Sequence, residues 1–213
     1  MKIIAHRGNW NTQEEKNSKI AFERSIRQGY GIETDIRDYE GRLVIAHDVP
    51  QPGEELMSFD DFLQLYSVNT DKNAVLAINI KSDGLHQLLE QALQKNTPGD
   101  YFVFDMSVPA LFFGYRKTKI PFFVSVNEYM QTPPLFSECA GIWLDAYEDI
   151  WYHTDDIQAF AGKGKKVCIV SPELHGRAHM ELWQMIKDAG LAQLPGLSIC
   201  TDLFDEADQL FNH

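Results

Sequence analysis

Cysteine is scarce in this chain. Cys139, Cys168 and Cys200 are far apart and form no Cys-x-x-Cys pair. That argues against a disulfide framework or a zinc knuckle, and a reducing, cytoplasmic location is expected. Long hydrophobic runs are missing too. The opening "MKIIAHRG" has only three apolar residues in a row after Lys2. This is too short for the apolar core of a signal peptide, and nothing approaches the roughly 20 apolar residues of a membrane-spanning helix. Positive charge is limited, with 19 Lys and Arg against 31 Asp and Glu, a net charge of −12. A duplex nucleic-acid binder needs a basic face to neutralise phosphates, so that class is not expected. A small phosphate-containing substrate stays open, because a few local cations and a metal can dominate a pocket. No linker, charge block, repeat or low-complexity tract divides the chain, so residues 1–213 read as one domain. Nothing in the sequence indicates an oligomeric state.

What is present is a recurring alternation. Short apolar runs ("KIIAH", "GIETDI", "RLVIAH", "AVLAINI", "YFVFDM", "FFVSV", "GIWLDA", "KVCIV", "LSICTD") alternate with amphipathic stretches. Several runs are continuously apolar, as strands covered on both faces are. "SKIAFERSIRQG" starts at a capping Ser and ends at Gly29. "SFDDFLQLY", "LHQLLEQALQK", "DDIQAFAGKGKK" and "HMELWQMIKDAG" are further helix candidates. Strand–helix alternation implies a parallel sheet. Eight main strands fit if "RLVIAH" is an extra hairpin partner of the strand before it, across the turn "DYEGR". The expected architecture is a compact TIM (β/α)8 barrel, with an open doubly wound sheet as the competitor.

In such a barrel the chemistry sits at the C-terminal strand ends. Those ends carry His6 and Arg7, Glu33 and Asp35, His47 and Asp48, Asn79 and Lys81, then Asp105, Asp145, Glu173 and Asp202. Glu33 and Asp35 are two apart, so on a strand they share a face. Two carboxylates on one inward face repel unless a cation neutralises them, and oxygen ligands suit Mg²⁺ or Ca²⁺. The bland alternative is a solvated acidic edge; the apolar flanks favour the metal. His6 and His47 each close a β-run, and two histidines can divide proton transfer. Either one alone would more often be a hydrogen-bonded rim histidine. Arg7 and Lys81 can hold phosphate oxygens or serve as structural partners of the carboxylates. Together the set reads as metal-assisted phosphoryl chemistry. His175 and His179 stand at the i, i+4 spacing of helical zinc pairs, but no Glu follows the first and Gly176 weakens a helix. A substrate-contacting loop is the stronger reading there. Trp143, Trp183 and "LFFGY" read by default as core aromatics.

These residues carry a family pattern. "IAHRG", "KNSKIAFERSIRQGYGIETDI" and "GRLVIAHD" resemble the glycerophosphodiester phosphodiesterase family, of the phospholipase C-like superfamily. His-Arg-Gly, Asn-Ser, Glu-x-Asp and His-Asp follow in its order across about residues 2–48, with weaker matches at "INIK" and "CTDLF". The resemblance implies a TIM barrel, one divalent cation (Mg²⁺ or Ca²⁺), and cleavage of a small phosphodiester. It also implies His6 and His47 as the acid–base pair, Glu33, Asp35 and the position of Asn79 as metal ligands, and Arg7 and Lys81 on the phosphate. In one mechanism of the superfamily a neighbouring substrate hydroxyl attacks phosphorus and gives a cyclic phosphate.

Two departures stand out. Asn79 holds a position where the family has a carboxylate, which removes one negative charge, and Asp105 is a candidate to restore it. The usual insertion subdomain after His-Asp is replaced by the short "HDVPQPGEELMSFDDF", and the seventh strand ends in "VSPELHG". Glu173, His175 and Trp143 are candidates for the altered pocket. The alternative to an active enzyme is a catalytically weak barrel that binds a phosphorylated ligand.

Overall fold

The computed structural model describes residues 1–69 and 74–213. Its nine-stranded sheet comprises β1 (Lys2–His6), β2 (Gly31–Tyr39), β3 (Arg42–Ile45), β4 (Val75–Ile80), β5 (Asp100–Phe104), β6 (Phe123–Val126), β7 (Gly141–Leu144), β8 (Lys166–Val170) and β9 (Leu197–Thr201). Eight strands are parallel, in the order β5-β4-β2-β1-β9-β8-β7-β6. β3 is the expected antiparallel hairpin partner of β2. Its turn places Glu40 and Gly41 both at positive φ, the primed geometry that matches strand twist. The two ends of the order meet through one parallel bridge, Val103 to Phe122, where the Val103 N–H donates to the Pro121 carbonyl at 3.0 Å. The sheet therefore forms a nearly closed barrel, not an open doubly wound sheet.

Strand alternation sorts the apolar residues into three bodies. Ile4, Val75, Ala77, Phe102, Phe104, Phe123, Trp143, Cys168, Val170 and Cys200 fill the barrel interior. Their neighbours in sequence face the helices. One outer layer packs β2, β4 and β5 against α1 (Lys19–Gln28), α2 (Phe59–Asn69) and α3 (His86–Lys95). The other packs β1, β7, β8 and β9 against α5 (Thr154–Gly162), α6 (Met180–Asp188) and α7 (Phe204–Asn212). A residue two beyond an inner one is again inner, so His6, Asn79, Asp145 and Asp202 point into the barrel mouth.

α1 forms where its ends are best specified. The Ser18 hydroxyl accepts from the Ala21 N–H, and Gly29 closes the helix at φ 79°. Such an N-cap is worth about 1 kcal/mol. Gly8 is set by packing: at φ 83° it lies so close to α1 that an added Cβ would stand 3.0 Å from the Ala21 backbone.

Two helices lie outside the candidates drawn from sequence. One is α4 (Val108–Phe113), only six residues long, with a proline in its first turn; the other is α7. Residues 127–140, between β6 and β7, carry no helix. Within "LFFGY", Leu111 and Tyr115 are buried as expected but Phe112 and Phe113 are exposed, since so short a helix cannot cover both. After His47 and Asp48 the chain reaches α2 through an irregular loop over residues 49–57, without a subdomain.

Candidate active site

The barrel mouth collects charge on its β1–β2–β4 side. Backbone register fixes the pairs: His6 is level with Glu33, and Asp35 with Asn79. Glu33 and Asp35 are essentially inaccessible to solvent. Asp35 Oδ2 accepts from Asn17 Nδ2 at 2.8 Å and lies 2.9 Å from Arg7 Nε, while Lys81 Nζ is 3.3 Å from Oδ1. Lys81 also faces Asp105 at 4.0 Å. Burial, then the Asp35 carboxylate, push the Glu33 carboxyl up to about 7 against the pull of His6, Arg7 and Lys81. Burial raises Asp105 as well; Lys81 pulls it back, while Asp145 and Asp35 add to the rise.

Backbone conformation is unusual here. Among the described residues, five non-glycines have positive φ: Arg7, Asn17, Glu40, Asp105 and Leu135. Arg7 and Asn17 touch Asp35, and Asp105 faces Lys81. Left-handed backbone costs a residue with a Cβ roughly 1 kcal/mol or more, and such strain collects at functional sites.

His6 is anchored by a residue far along the chain. Its Nδ1 is 2.8 Å from Asp202 Oδ1, and its Nε2 is 4.0 Å from Glu33 Oε2. A carboxylate only accepts, so Asp202 holds the ring proton on Nδ1 and leaves Nε2 for chemistry. Glu173 does not reach into the mouth. It accepts from the Thr201 hydroxyl at 2.5 Å, from the Asp202 N–H at 3.1 Å and from Ser171 Oγ. It therefore positions Asp202, which positions His6.

The remaining candidates spread around the rim. β3 ends at Ile45, so His47 lies beyond it, half exposed, with Nδ1 2.8 Å from Asp48. It shares with Arg7 and Asn17 a groove of about 600 Å³ whose other walls include Lys16, Lys19 and Glu54. Trp143 lies one layer down in the barrel interior, stacked on Phe104 at 3.8 Å. His175 and His179 do not share a helix. The former ends a 3-10 turn and pairs with Asp145, while the latter precedes α6 and pairs with Glu206.

Two oxygens bear on a cation. Asn79 Oδ1 is buried without a hydrogen-bond partner, and Asp35 Oδ1, on the register-paired residue of the adjacent strand, has only the Lys81 ammonium at 3.3 Å. Buried acceptors are normally satisfied, and a hard cation is one group that would satisfy both. Arg7 Nε, though close to Asp35, is not aligned to donate to it. A divalent cation would satisfy the Asn79 oxygen and the Asp35 carboxylate; among the described residues no three His, Cys, Asp or Glu side chains are grouped to hold one. Asn17, Asp145 and Asp202 also hold side chains of the mouth in place, the first on Asp35 and the other two on His175 and His6. In the sequence Asn17 stands in the Asn-Ser element before the first helix, and the two aspartates at strand ends, but no local pattern assigns their partners.

No protein-family model matches the sequence, and no curated protein does. Solved structures match it end to end. A Silicibacter pomeroyi protein described as a glycerophosphoryl diester phosphodiesterase aligns with 100% of this chain and 93% of its own, at TM-score 0.74 and 11% identity. An Oleispira antarctica phosphodiesterase, solved with the product sn-glycerol-3-phosphate, aligns at TM-score 0.72 and 15% identity, covering 100% of this chain and 97% of that one. A Ca²⁺-dependent phosphatidylinositol-specific phospholipase C from Streptomyces antibioticus gives TM-score 0.58 at 9% identity, with 98% and 95% covered. The chain has the barrel fold of the phospholipase C-like phosphodiesterases, the fold that the motifs of residues 2–48 imply. No helix among the described residues is long and apolar enough to cross a membrane.

Proposed function

We infer that this chain is a metal-dependent phosphodiester hydrolase acting on a small phosphodiester. One observation carries the reading. The buried Glu33–Asp35 pair, with the unpartnered Asn79 oxygen level with Asp35, lies beside His6 and two cationic side chains. Glu33, Asp35 and Asn79 are the residues that would hold the cation. When bound, it supplies positive charge against the phosphoryl oxygens.

Arg7 and Lys81 take the phosphate oxygens between them. Arg7 Nε has an unaligned hydrogen to offer, and Lys81 Nζ lies between Asp35 and Asp105. His6, with Nδ1 on Asp202, uses Nε2 to accept the proton of the attacking hydroxyl. His47, at the groove that opens from Arg7, returns a proton to the departing alcohol. The attacking hydroxyl is a neighbouring substrate group or water. Fixed charges against the developing phosphoryl charge supply most of the acceleration in such sites.

The test is hydrolysis of bis(p-nitrophenyl) phosphate and a panel of glycerophosphodiesters with Mg²⁺, Mn²⁺ or Ca²⁺, beside a His6→Ala control. Metal-stimulated turnover that the control lacks supports the enzyme. Absence of turnover on every diester would leave a barrel that binds a phosphorylated ligand.

A further inference from the structure

The series of contacts behind His6 does not stop at Glu173. It runs outward, past the ends of β9 and β8, to a side chain of the helix layer. Asp202 Oδ1 lies 2.8 Å from His6 Nδ1, and the Asp202 N–H donates to Glu173 Oε1 at 3.1 Å. The other Glu173 oxygen, Oε2, accepts from the Ser171 hydroxyl. Ser171 Oγ accepts in turn from the indole N–H of Trp183, on α6, at 2.8 Å. Ser171, Thr201 and Trp183 are all fully buried.

Donor and acceptor rules leave this series one arrangement of protons. An indole nitrogen only donates, so Ser171 Oγ receives from Trp183 and sends its own proton to Glu173. Thr201 Oγ1 receives from the Leu203 N–H at 2.9 Å and likewise donates to Glu173 at 2.5 Å. Glu173 therefore takes two hydroxyls and one amide, none of them a cation. A buried polar series in which every proton has one place holds its members to one geometry.

The backbone shows why Asp202 needs such a hold. The β8–β9 ladder ends at the Val170–Cys200 pair, and the Ser171 N–H adds one more bond, to the Cys200 carbonyl at 3.0 Å. β9 itself ends at Thr201, so Asp202 stands just past the strand, and its N–H is taken by a side chain, Glu173. At the outer end the donor is fixed by packing. The Trp183 ring lies 5.7 Å from the Phe211 ring of α7 and 4.3 Å from the His179 ring. The aim of His6 is thus referred to the α6–α7 layer through side chains, where the sheet no longer supplies backbone bonds.

Resting on the hydrolase reading, we propose that Ser171 and Trp183 are positioning residues of the reaction, which act through Glu173 and Asp202 to fix the tautomer and the aim of His6. Neither touches the substrate.

The experiment measures kcat and KM on bis(p-nitrophenyl) phosphate for the full chain and its Ser171→Ala, Trp183→Phe and Glu173→Gln variants, each below its melting temperature. Ser171→Ala and Trp183→Phe should lower kcat about tenfold with KM changed less than twofold, as a small misplacement of a proton acceptor does. Adding Ser171→Ala to Glu173→Gln should lower kcat no further, because both substitutions break the same series. Nitrogen-15 NMR of labelled histidine, at a pH where the ring is neutral, reads His6 without turnover. The proton should reside on Nδ1 in wild type and be shared with Nε2 in the variants. A merely structural role would lower Tm and leave the tautomer as in wild type. An unchanged tautomer in both single variants, an unchanged kcat in both, or losses that multiply in the double variant overturns the proposal. If wild type turns over no diester, the hydrolase reading fails on its own, and the tautomer alone decides the role of Ser171 and Trp183. Ser171→Ala deletes one atom, so it keeps the test usable if Trp183→Phe fails to fold.

Discussion

Asn79→Asp distinguishes a cation ligand from an amide of purely structural value. Asn79 is buried, level with Asp35 in the β2–β4 ladder, and its Oδ1 has no partner. The substitution places a third carboxylate where burial and Asp35 already push Glu33 up to about 7. Without a divalent cation this should cost about 2–3 kcal/mol, the range for a poorly compensated buried charge. For a domain of this size that lowers Tm by roughly 4–12 °C. With cation the loss is offset. An added carboxylate should tighten binding by about tenfold or more, and each factor of ten adds about 1.4 kcal/mol of stability at saturating metal. The cation-induced rise in Tm should then exceed that of wild type by roughly 3–6 °C per decade of affinity. Thermal unfolding in EDTA and in millimolar Mg²⁺ or Ca²⁺ reads both terms, and calorimetric titration gives the dissociation constants. If the variant is as stable as wild type in EDTA and gains no more from metal, no cation binds beside Asn79.

Three more outcomes follow from contacts already described. Asp202→Asn removes the charge that holds His6 Nδ1 at 2.8 Å, so kcat should fall about a hundredfold or more with KM little changed; an undiminished kcat would mean the ring needs no anchor. The Asp145 hydrogen bond raises His175 above its ordinary 6.5. Its contribution is complete below that value and lost as pH rises through the higher folded one, so wild type should lose up to about 1 kcal/mol relative to His175→Gln over this window in urea melts. Equal pH slopes for the two proteins would refute the pairing. Phe102→Ala should cost about 3–5 kcal/mol in urea unfolding, because that ring stacks on Phe123 at 3.7 Å across the β5–β6 gap; a loss under about 1 kcal/mol would show that the rings do not hold the gap.

Half of the site was legible in the sequence because it is local. His6, Glu33 and Asp35 lie on the first two strands, with Arg7 just past the end of β1, and a period of two tells which strand side chains share a face. The register that levels Asp35 with Asn79 then follows from the parallel order of β2 and β4. What the sequence did not disclose is which partner each imidazole takes. His6 is held from 196 residues away, and His175 from 30. No local pattern encodes those pairings; the neighbouring of β1 with β9 and of β7 with β8 makes them. His47 shows the reverse case. It closes an apolar run, but pairing with β2 stops at Arg42–Ile45, and the side chain turns to its neighbour Asp48. α7 was recoverable, since Phe204, Ala207 and Phe211 are the buried stripe of an amphipathic helix. α4 was not, because six residues hold too few turns for periodicity to appear.

The barrel is unevenly braced, and the site lies on its better-braced part. β1, β2, β4, β8 and β9 are joined by continuous parallel ladders, so the His6–Glu33 and Asp35–Asn79 pairs are level because their backbones are hydrogen-bonded. β5 and β6 share only the Val103–Phe122 bridge, and aromatic stacking across the interior does what a ladder does elsewhere. Proton transfer and phosphate clamping tolerate little displacement, whereas recognition of an alcohol arm tolerates more. The arrangement follows that difference. His6, Glu33, Asp35 and Asn79 stand on the laddered strands, and Asp105, beside the gap, faces Lys81. Loosening the gap should therefore change which diesters are accepted before it changes the rate on a minimal diester such as bis(p-nitrophenyl) phosphate. A Phe123→Leu variant assayed on both substrate types would reverse this ordering if the gap, rather than the ladder, sets the geometry of His6 and Asp35.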